Sequence, residues 1–238
     1  MNLFAFSGLL SGISCTVMGG LVYFTDRRRR TNRLWALMCL AVSVWGFGVF
    51  LIGSTADPDL ALILWRIAHL GVILIPALFY HFVVAFTDLR RPKTVLAAYA
   101  AAAGFLAADA TPLFIRQVRR VFGQFYYDSP PSLLYVLFVG FFIGMLVVSH
   151  TELWRAARQA RERAQRLLLR WFFAGTTIGF AGGATCFLPV FGIDLYPYGN
   201  FAVPLFPLIM TYAFLRHRLM DVRLALTRGI TFLVTYTI

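Results

Sequence analysis

The amino-acid sequence predicts an all-α fold: a polytopic membrane protein with a bundle of seven transmembrane helices and its N-terminus outside. First, 60% of the 238 residues are hydrophobic and the mean hydropathy is +0.74, which is too apolar for a soluble domain. Second, eighteen of the 22 Lys and Arg residues fall in four short clusters between long apolar runs. This alternation is the positive-inside pattern, so it predicts both the number of crossings and their direction.

Each predicted span is an apolar run of about 20 residues, the length that crosses ~30 Å of hydrocarbon. In chain order the spans are Asn2–Phe24, Leu34–Ile52, Leu60–Phe86, Thr94–Phe114, Leu133–His150, Trp171–Phe191 and Phe201–Leu215. The basic clusters of the inner connections are Arg27–Arg33, Arg90–Lys93, Arg155–Arg170 and Arg216–Arg228. The outer connections are Gly53–Asp59, Ile115–Ser132 and Gly192–Asn200, and they hold three basic residues in all.

Two features refine this topology. The fifth span is expected to continue as a cytoplasmic helix through Arg170, because apolar positions in Leu153–Leu168 recur every three or four residues. That helix would either contact anionic lipid or a partner helix, or be solvated. Aromatic residues near the span ends predict interfacial belts. The outer belt would hold Phe125, Tyr126, Tyr127, Tyr196 and Tyr198, and the inner belt Trp35 and Trp171.

Residues 1–229 are predicted to form one membrane domain. The last nine residues, Ile230–Ile238, carry no charge and are too short to span a bilayer. They are expected to be the start of a truncated further helix, so the chain is expected to be a piece of a longer protein.

Composition and motifs exclude several classes of function. The net charge of +12 does not indicate nucleic-acid binding, because the charge lies in the short inner loops. The expected partner of these loops is anionic lipid headgroups, at about 1 kcal/mol per basic residue. The sequence has no Walker A, GxSxG or HExxH motif. The cysteines Cys15, Cys39 and Cys186 lie in apolar runs without metal-ligand spacing, so they are predicted to be small buried residues. We also predict no catalytic residue, cofactor or metal site.

Ionisable groups near the outer side of the bundle are the first candidate site. Arg66 and His69 lie one turn apart on the third span, and Asp109 is predicted at a similar depth. Charged groups inside a membrane usually face the bundle interior, so these residues are predicted to bind a small polar or anionic ligand. The alternative is that Arg66 reaches the headgroups and Asp109 meets interfacial water.

Other candidates lie deeper or in a loop. His81 is expected to hydrogen-bond between helices, with proton sensing or haem binding as alternatives. It lies about 18 Å along the helix from His69, too far for both to hold one ion. Asp194 and Tyr196, in the outer loop before the seventh span, would either roof a ligand cavity or lie at the membrane interface.

Three stretches carry a resemblance to a known family. Tyr212–Arg223, which reads Tyr-Ala-Phe-Leu-Arg-His-Arg-Leu-Met-Asp-Val-Arg, resembles the junction that closes the N-terminal seven-helix sensor region of bacterial histidine kinases. Trp65–Phe82 is similar to the family's third span, with Trp early and Pro and His late. Arg161–Arg166 followed by Gly175 is similar to its fifth-to-sixth connection.

The resemblance implies a sensory domain in the bacterial cytoplasmic membrane that relays a signal to an output domain absent from this chain. A histidine kinase is the implied output domain, although related sensor regions also precede diguanylate cyclases or phosphatases. The implied ligand is a small or lipid-soluble molecule, and the implied assembly is a homodimer formed through the output domain. The chain itself would not be an enzyme.

Signal transmission is predicted at the end of the chain. Pro204 and Pro207 in the seventh span permit a kink that a ligand can move. Arg218, Asp221 and Arg223 follow in the inner segment. The rival function is a small-molecule transporter or channel, which predicts ionisable groups at the midplane or an inverted repeat. The sequence has no visible repeat between its halves.

Overall fold

The computed structural model describes residues 1–128 and 130–210. It is 78% helical, which confirms the all-α prediction. The described helices are α1 (Leu3–Thr25), α2 (Arg30–Ser54), α3 (Pro58–Phe86), α4 (Pro92–Asp109), α5 (Leu133–Gln159) and α6 (Arg163–Ala184). Two 3₁₀ helices follow, Thr185–Phe191 and Tyr198–Ala202, and residues 205–210 are again α-helical.

Five helical stretches in the described part are long and apolar enough to cross a membrane: α1, α2, α3, α5 and Arg163–Phe191. Helix α4 has 18 residues, and Lys93 and Asp109 lie close to its two ends. At 1.5 Å per residue it is about 27 Å long, slightly shorter than a typical hydrocarbon core. The last described helix, Tyr198–Met210, is apolar but short.

The helices connect two ends of the bundle. One end, here called the hairpin end, contains the starts of α1, α3 and α5 and a β-hairpin. The other, the arginine end, contains the starts of α2, α4 and α6. Helix α4 runs antiparallel to α3: Tyr99, near the start of α4, bonds to His81 near the end of α3. At the opposite end of the pair, Asp109 interacts electrostatically with Arg66.

Helices α1, α2 and α3 pack through glycines that let backbones approach closely. A Cβ added to Gly46 of α2 would lie 2.6 Å from the backbone nitrogen of Gly12 in α1. A Cβ added to Gly71 of α3 would collide with the carbonyl oxygen of Ala41. Small residues at such contacts are how membrane helices gain dispersion energy without a hydrophobic driving force. The sequence of small residues therefore fixes the arrangement of the first three helices.

A short antiparallel hairpin interrupts the helical pattern, and the sequence analysis missed it. Strand β1 (Val118–Val121) pairs with β2 (Phe125–Asp128), with Val118 opposite Asp128. The turn is closed by the Gln124 N–H, which donates to the Val121 carbonyl at 3.1 Å. Phe122 and Gly123 have φ of 52° and 66°, the left-handed pair that a tight hairpin turn needs. Glycine meets this requirement without strain, whereas phenylalanine does not.

The prediction of one helix from the fifth span through Arg170 is wrong. Helix α5 ends at Gln159, and Ala160 has extended backbone with ψ of 120°. The Arg166 guanidinium donates two hydrogen bonds to the Ala160 carbonyl, at 2.9 and 3.2 Å, and so satisfies a group that the helix no longer uses. This break allows α6 to fold back against α5.

The aromatic-belt prediction is wrong for three residues. Phe125, Tyr127 and Trp35 are at most 1% exposed, because the hairpin folds into the bundle and Trp35 packs on the rings of α3 and α6. Tyr198 and Trp171 do expose their rings, at 59% and 38%. The three cysteines are buried, as predicted.

Candidate functional site: an aromatic cavity under the hairpin

A cavity of about 70 Å³ lies inside the bundle, between α2, α3, α5 and α6. Its walls are mostly aromatic and aliphatic, and Tyr127 of the hairpin and Val203 and Phe206 of the last described helix complete them. The wall residues whose side chains carry a polar atom are Trp45, Trp65, His69, Tyr127, Tyr135, Thr176 and Cys186. An apolar cavity with a few polar atoms is the usual form of a small-molecule site.

His69 is the polar group most constrained by its neighbours. It is 2% exposed, and its Nδ1 donates to the Trp65 carbonyl oxygen at 2.8 Å. The carbonyl can only accept, so Nδ1 carries the hydrogen and Nε2 of the neutral ring is an acceptor. In the described part of the chain Nε2 has no hydrogen-bond partner. The rings of Phe114 and Tyr135 each lie with centroids 5.6 Å from the imidazole.

Other polar wall atoms are already used by the protein. The Tyr127 hydroxyl donates to the Cys186 carbonyl at 2.6 Å, and the Trp65 Nε1–H donates to the Tyr126 carbonyl at 3.1 Å. The Thr176 hydroxyl lies 2.8 Å from the Phe172 carbonyl. The Tyr135 hydroxyl, by contrast, makes no hydrogen bond to a described residue, and its ring lines the cavity.

The hairpin closes the cavity by contacts to several separate parts of the chain. The Phe125 ring stacks on Phe4 of α1 at 4.4 Å between centroids. Arg119 donates to the Pro189 carbonyl at 3.1 Å, in the first 3₁₀ helix. Together with the bonds from Trp65 and Tyr127, these contacts join α1, α3, the hairpin and the first 3₁₀ helix into one cap.

A cluster of charged groups lies at the hairpin end, outside the cavity walls. Arg66 donates to the Ile115 carbonyl at 3.3 Å, but its Nε, Asp109 Oδ1 and Asp128 Oδ1 are buried without a hydrogen-bond partner in the described protein. Burial, helped by the nearby Asp109, raises the pKa of the Asp128 carboxyl in the hairpin to about 7. Within the described residues Arg66 and Asp109 form no ion pair within 4 Å.

These positions correct part of the sequence interpretation. Asp109 is 2% exposed, so the alternative in which it meets interfacial water is wrong. The Arg66 guanidinium bonds to the chain itself. Arg66 and His69 lie one turn apart, but only His69 lines the cavity.

The two loop candidates have separate places at the hairpin end. The Tyr196 hydroxyl accepts from the Phe4 N–H at 3.0 Å and donates to Gln124 Oε1 at 3.4 Å. It thus covers the hairpin, and it does not line the cavity. Asp194 is exposed.

His81 makes the interhelical hydrogen bonds that the sequence predicted. Arg30 of α2 donates to its Nε2 at 2.8 Å, and its Nδ1 lies 3.0 Å from the Tyr99 hydroxyl of α4. Because a guanidinium can only donate, Nε2 is the acceptor and Nδ1–H donates to Tyr99. His81 therefore connects three helices at the arginine end.

A polar groove of about 580 Å³ opens at the arginine end, between the end of α3 and the α5–α6 connection. Arg91, Arg155 and Arg161 line it, together with Glu152. Glu152 lies 3.6 Å from Arg91 and 3.9 Å from Arg155, and both arginine side chains are at least half exposed. Such exposed pairs contribute little to stability. No group of three or more His, Cys, Asp and Glu in the described part could hold a metal ion.

The predicted transmission residues are only partly described. Pro204 precedes the helical turns at residues 205–210, and Pro207 lies in the first of them. Proline at a helix start removes an N–H that has no intrahelical acceptor, so it does not require a kink there. Arg218, Asp221, Arg223 and residues 230–238 lie outside the described residues.

Sequence reasoning missed the aromatic residues that build the cavity. Tyr127 and Tyr135 were read as interface or span residues because nothing in a single apolar run indicates which face turns inward. One signal did exist for the hairpin. Two β-prone runs, Val118–Val121 and Phe125–Tyr127, flank Gly123.

Long apolar helices joined by arginine-rich connections define a membrane protein. A comparison with protein families identifies the family: the one described as the N-terminal 7TM region of histidine kinase matches residues 8–223. The chain belongs to this family, which is a non-catalytic sensory membrane region, so the resemblance seen in the sequence is confirmed. No curated protein and no solved structure matches the chain.

Proposed function

We propose that this chain receives a stimulus in the bacterial cytoplasmic membrane and relays it to a cytoplasmic kinase domain of the same protein. The observation that carries the proposal is the aromatic cavity, whose walls include both the hairpin cap and the last described helix. A ligand in the cavity contacts Tyr127 of the cap and Phe206 of that helix at once. Occupancy therefore acts directly on the segment that leads towards the output domain.

The proposed topology has seven crossings and an outer N-terminus. It is supported by α4, which connects the arginine end to the hairpin end, and by the last helix, which leaves the hairpin end. Phe206 of that helix packs 5.1 Å from Trp35, near the start of α2 at the arginine end. Reporter fusions after Arg33, Lys93 and Arg170 should report the cytoplasm, and fusions at Asp57 and Asp194 the outside. If fusions in two consecutive loops reported the same side of the membrane, this topology would be contradicted.

The relay is supported by close packing between α6 and the last helix. A Cβ added to Gly179 would lie 2.9 Å from the Phe206 Cβ, and one added to Gly175 would lie 3.2 Å from Ile209 Cγ2. The two helices therefore move together. The proposed path continues through the basic segment Arg216–Arg228 to a homodimeric kinase, and the arginine clusters contact anionic headgroups.

A cavity-filling substitution in the full-length receptor tests the function. Val72 of α3 lines the cavity, so Val72→Phe should occupy it, shift basal kinase activity several-fold and reduce the response to the natural stimulus. Leu70→Phe is the matched control, because Leu70 is 46% exposed on the same helix and faces away from the core. The measurement is autophosphorylation in membranes, normalised to receptor amount. Equal activity in Val72→Phe, Leu70→Phe and wild type would overturn the proposal.

A further inference from the structure

We propose that the cavity takes a small, uncharged molecule with a hydroxyl group, which donates a hydrogen bond to His69 Nε2 and accepts one from the Tyr135 hydroxyl. This inference rests on the proposed function, since it names the chemical class of the ligand for the same cavity. A short-chain alcohol is the simplest member of the class.

The walls exclude a charged ligand. Arg66, Asp109 and Asp128 are close to the hairpin but do not line the cavity. The wall side chains are aromatic, aliphatic or neutral polar groups, and none offers a formal charge to pair with an ion. Moving an unpaired ion from water into such a site costs far more than its contacts return.

The hydrogen bond made by His69 leaves an acceptor in the cavity, so the ligand needs a hydrogen-bond donor. The Trp65 carbonyl holds the Nδ1–H of His69, so Nε2 presents a lone pair and needs an O–H or N–H from outside the described protein. The Tyr135 hydroxyl also lacks a described partner. The two rings are in edge-to-face contact, with centroids 5.6 Å apart, and both line the same cavity. A hydroxyl both donates and accepts, so it satisfies both groups, whereas a ketone or an ether leaves His69 unpaired.

The volume limits the size of the ligand. The cavity of about 70 Å³ is several times the space that one water needs, about 10–15 Å³, and about half of a ~150 Å³ apolar cavity that takes benzene. A ligand of a few heavy atoms therefore fits the cavity as it stands. A larger one requires rotation of lining rings such as Phe142 and Phe180. That movement of α5 and α6 side chains would then accompany binding.

Tryptophan fluorescence provides a direct binding test, because Trp45 and Trp65 line the cavity. The probe is 2-bromoethanol, whose bromine quenches indole fluorescence, and the comparison probe is 1-bromopropane, which has the same number of heavy atoms but no hydroxyl. In the purified chain in lipid nanodiscs, we expect saturable quenching by 2-bromoethanol above the linear quenching from membrane partitioning. With 1-bromopropane we expect the linear part alone.

Variants identify the hydrogen bonds. His69→Phe should weaken saturable binding about tenfold or more, the loss expected for one hydrogen bond of ~1.4 kcal/mol. His69→Gln, which retains an acceptor, should recover part of it, and Tyr135→Phe should also weaken binding. Tyr198→Phe is the control, because its ring is 59% exposed at the hairpin end. If 1-bromopropane binds equally, if no quenching saturates, or if both His69→Phe and Tyr135→Phe bind like wild type, the inference is wrong.

The kinase assay separates this inference from the proposed function. Hydroxyl-specific binding without any change in kinase output would leave the inference standing and overturn the signalling role. An effect of Val72→Phe on kinase output without binding of 2-bromoethanol would retain the signalling role and overturn the hydroxyl class.

Discussion

The hairpin end and the arginine end of the bundle are held together by different means. At the hairpin end, Asn2, Asp57 and Ser132 cap α1, α3 and α5 with side-chain hydrogen bonds, and buried bonds from Trp65 and Tyr127 hold the cap. At the arginine end, the starts of α2, α4 and α6 have no side-chain cap bond. The links at this end are the packing of Trp35 on the rings of α3 and α6 and the partly exposed bonds of Arg30 to His81 and of His81 to Tyr99. Side-chain caps on the helix starts are therefore found at the hairpin end and not at the arginine end of the described bundle.

The buried carboxyl of Asp128 gives the largest expected effect on the free energy of unfolding, since it makes the stability of the hairpin end depend on pH. Its pKa is raised by burial to about 7, whereas the unfolded carboxyl titrates near pH 4. The stability contribution is complete below about pH 4 and is lost as pH rises to about 7, at up to ~1.4 kcal/mol per pH unit. Thermal unfolding of the detergent-solubilised chain should show this contribution as the difference between wild type and an Asp128 variant.

Asp128→Asn should flatten that dependence and raise the midpoint of unfolding at pH 8. Asp194→Asn is the control, because Asp194 is exposed at the same end of the molecule. The midpoint of Asp128→Asn minus that of wild type should increase from pH 5 to pH 8, and a difference that stays constant or decreases would contradict the burial of Asp128.

Removing the Tyr127 hydroxyl should weaken the cap next most strongly. Tyr127→Phe leaves the buried Cys186 carbonyl without its donor, at a cost of about 1–3 kcal/mol in the free energy of unfolding. Tyr126→Phe is the matched control on the neighbouring residue, because its bond to the Ala56 carbonyl is longer, 3.3 Å, and exposed. In denaturant or thermal unfolding, the free energy of unfolding of Tyr127→Phe should be well below that of Tyr126→Phe. Equal losses would mean that the cap does not depend on the buried bond.

His81→Phe tests whether the arginine end controls signalling more than stability. The substitution removes the bonds to Arg30 and Tyr99, which are partly exposed, so we expect a loss below about 1 kcal/mol. Basal autophosphorylation of the full-length receptor should nevertheless change, since a bias of ~1.4 kcal/mol alters a two-state ratio tenfold. Tyr99→Phe removes one of the two bonds and should give a smaller change. A large loss in the free energy of unfolding with unaltered autophosphorylation would show that the arginine end controls stability more than signalling.

The smallest effect is expected at Glu152. Its contacts to Arg91 and Arg155 are long and partly exposed, so Glu152→Gln should change the free energy of unfolding by about 0–1 kcal/mol. Any difference in the free energy of unfolding between Glu152→Gln and wild type should decrease at high salt concentration. A loss of several kcal/mol would show that the arginine end is held as firmly as the hairpin end.

The sequence predicted those features that local patterns specify. Apolar length and arginine position gave five of the spans, and His81 was assigned its interhelical role because a polar ring inside a span needs a partner. The cavity could not be predicted, because it depends on which faces meet. Tyr127 reaches it only once the hairpin folds inward, and Tyr135 only because its face of α5 turns towards α3. Arg66 and His69 illustrate the same difficulty for sequence-based prediction. They lie one turn apart on α3, but only His69 lines the cavity.

The hydrogen bond between the Phe4 N–H and the Tyr196 hydroxyl joins residues that are 192 positions apart. During synthesis at ~5–20 residues per second, the first helix waits about 10–40 seconds before this partner has been made. The hairpin, the first 3₁₀ helix and the amino terminus therefore assemble last, after most of the chain has been made. A nascent chain arrested before Tyr196 should lack this contact, so a protease with access to the hairpin should cut it faster than in chains that extend beyond Tyr196.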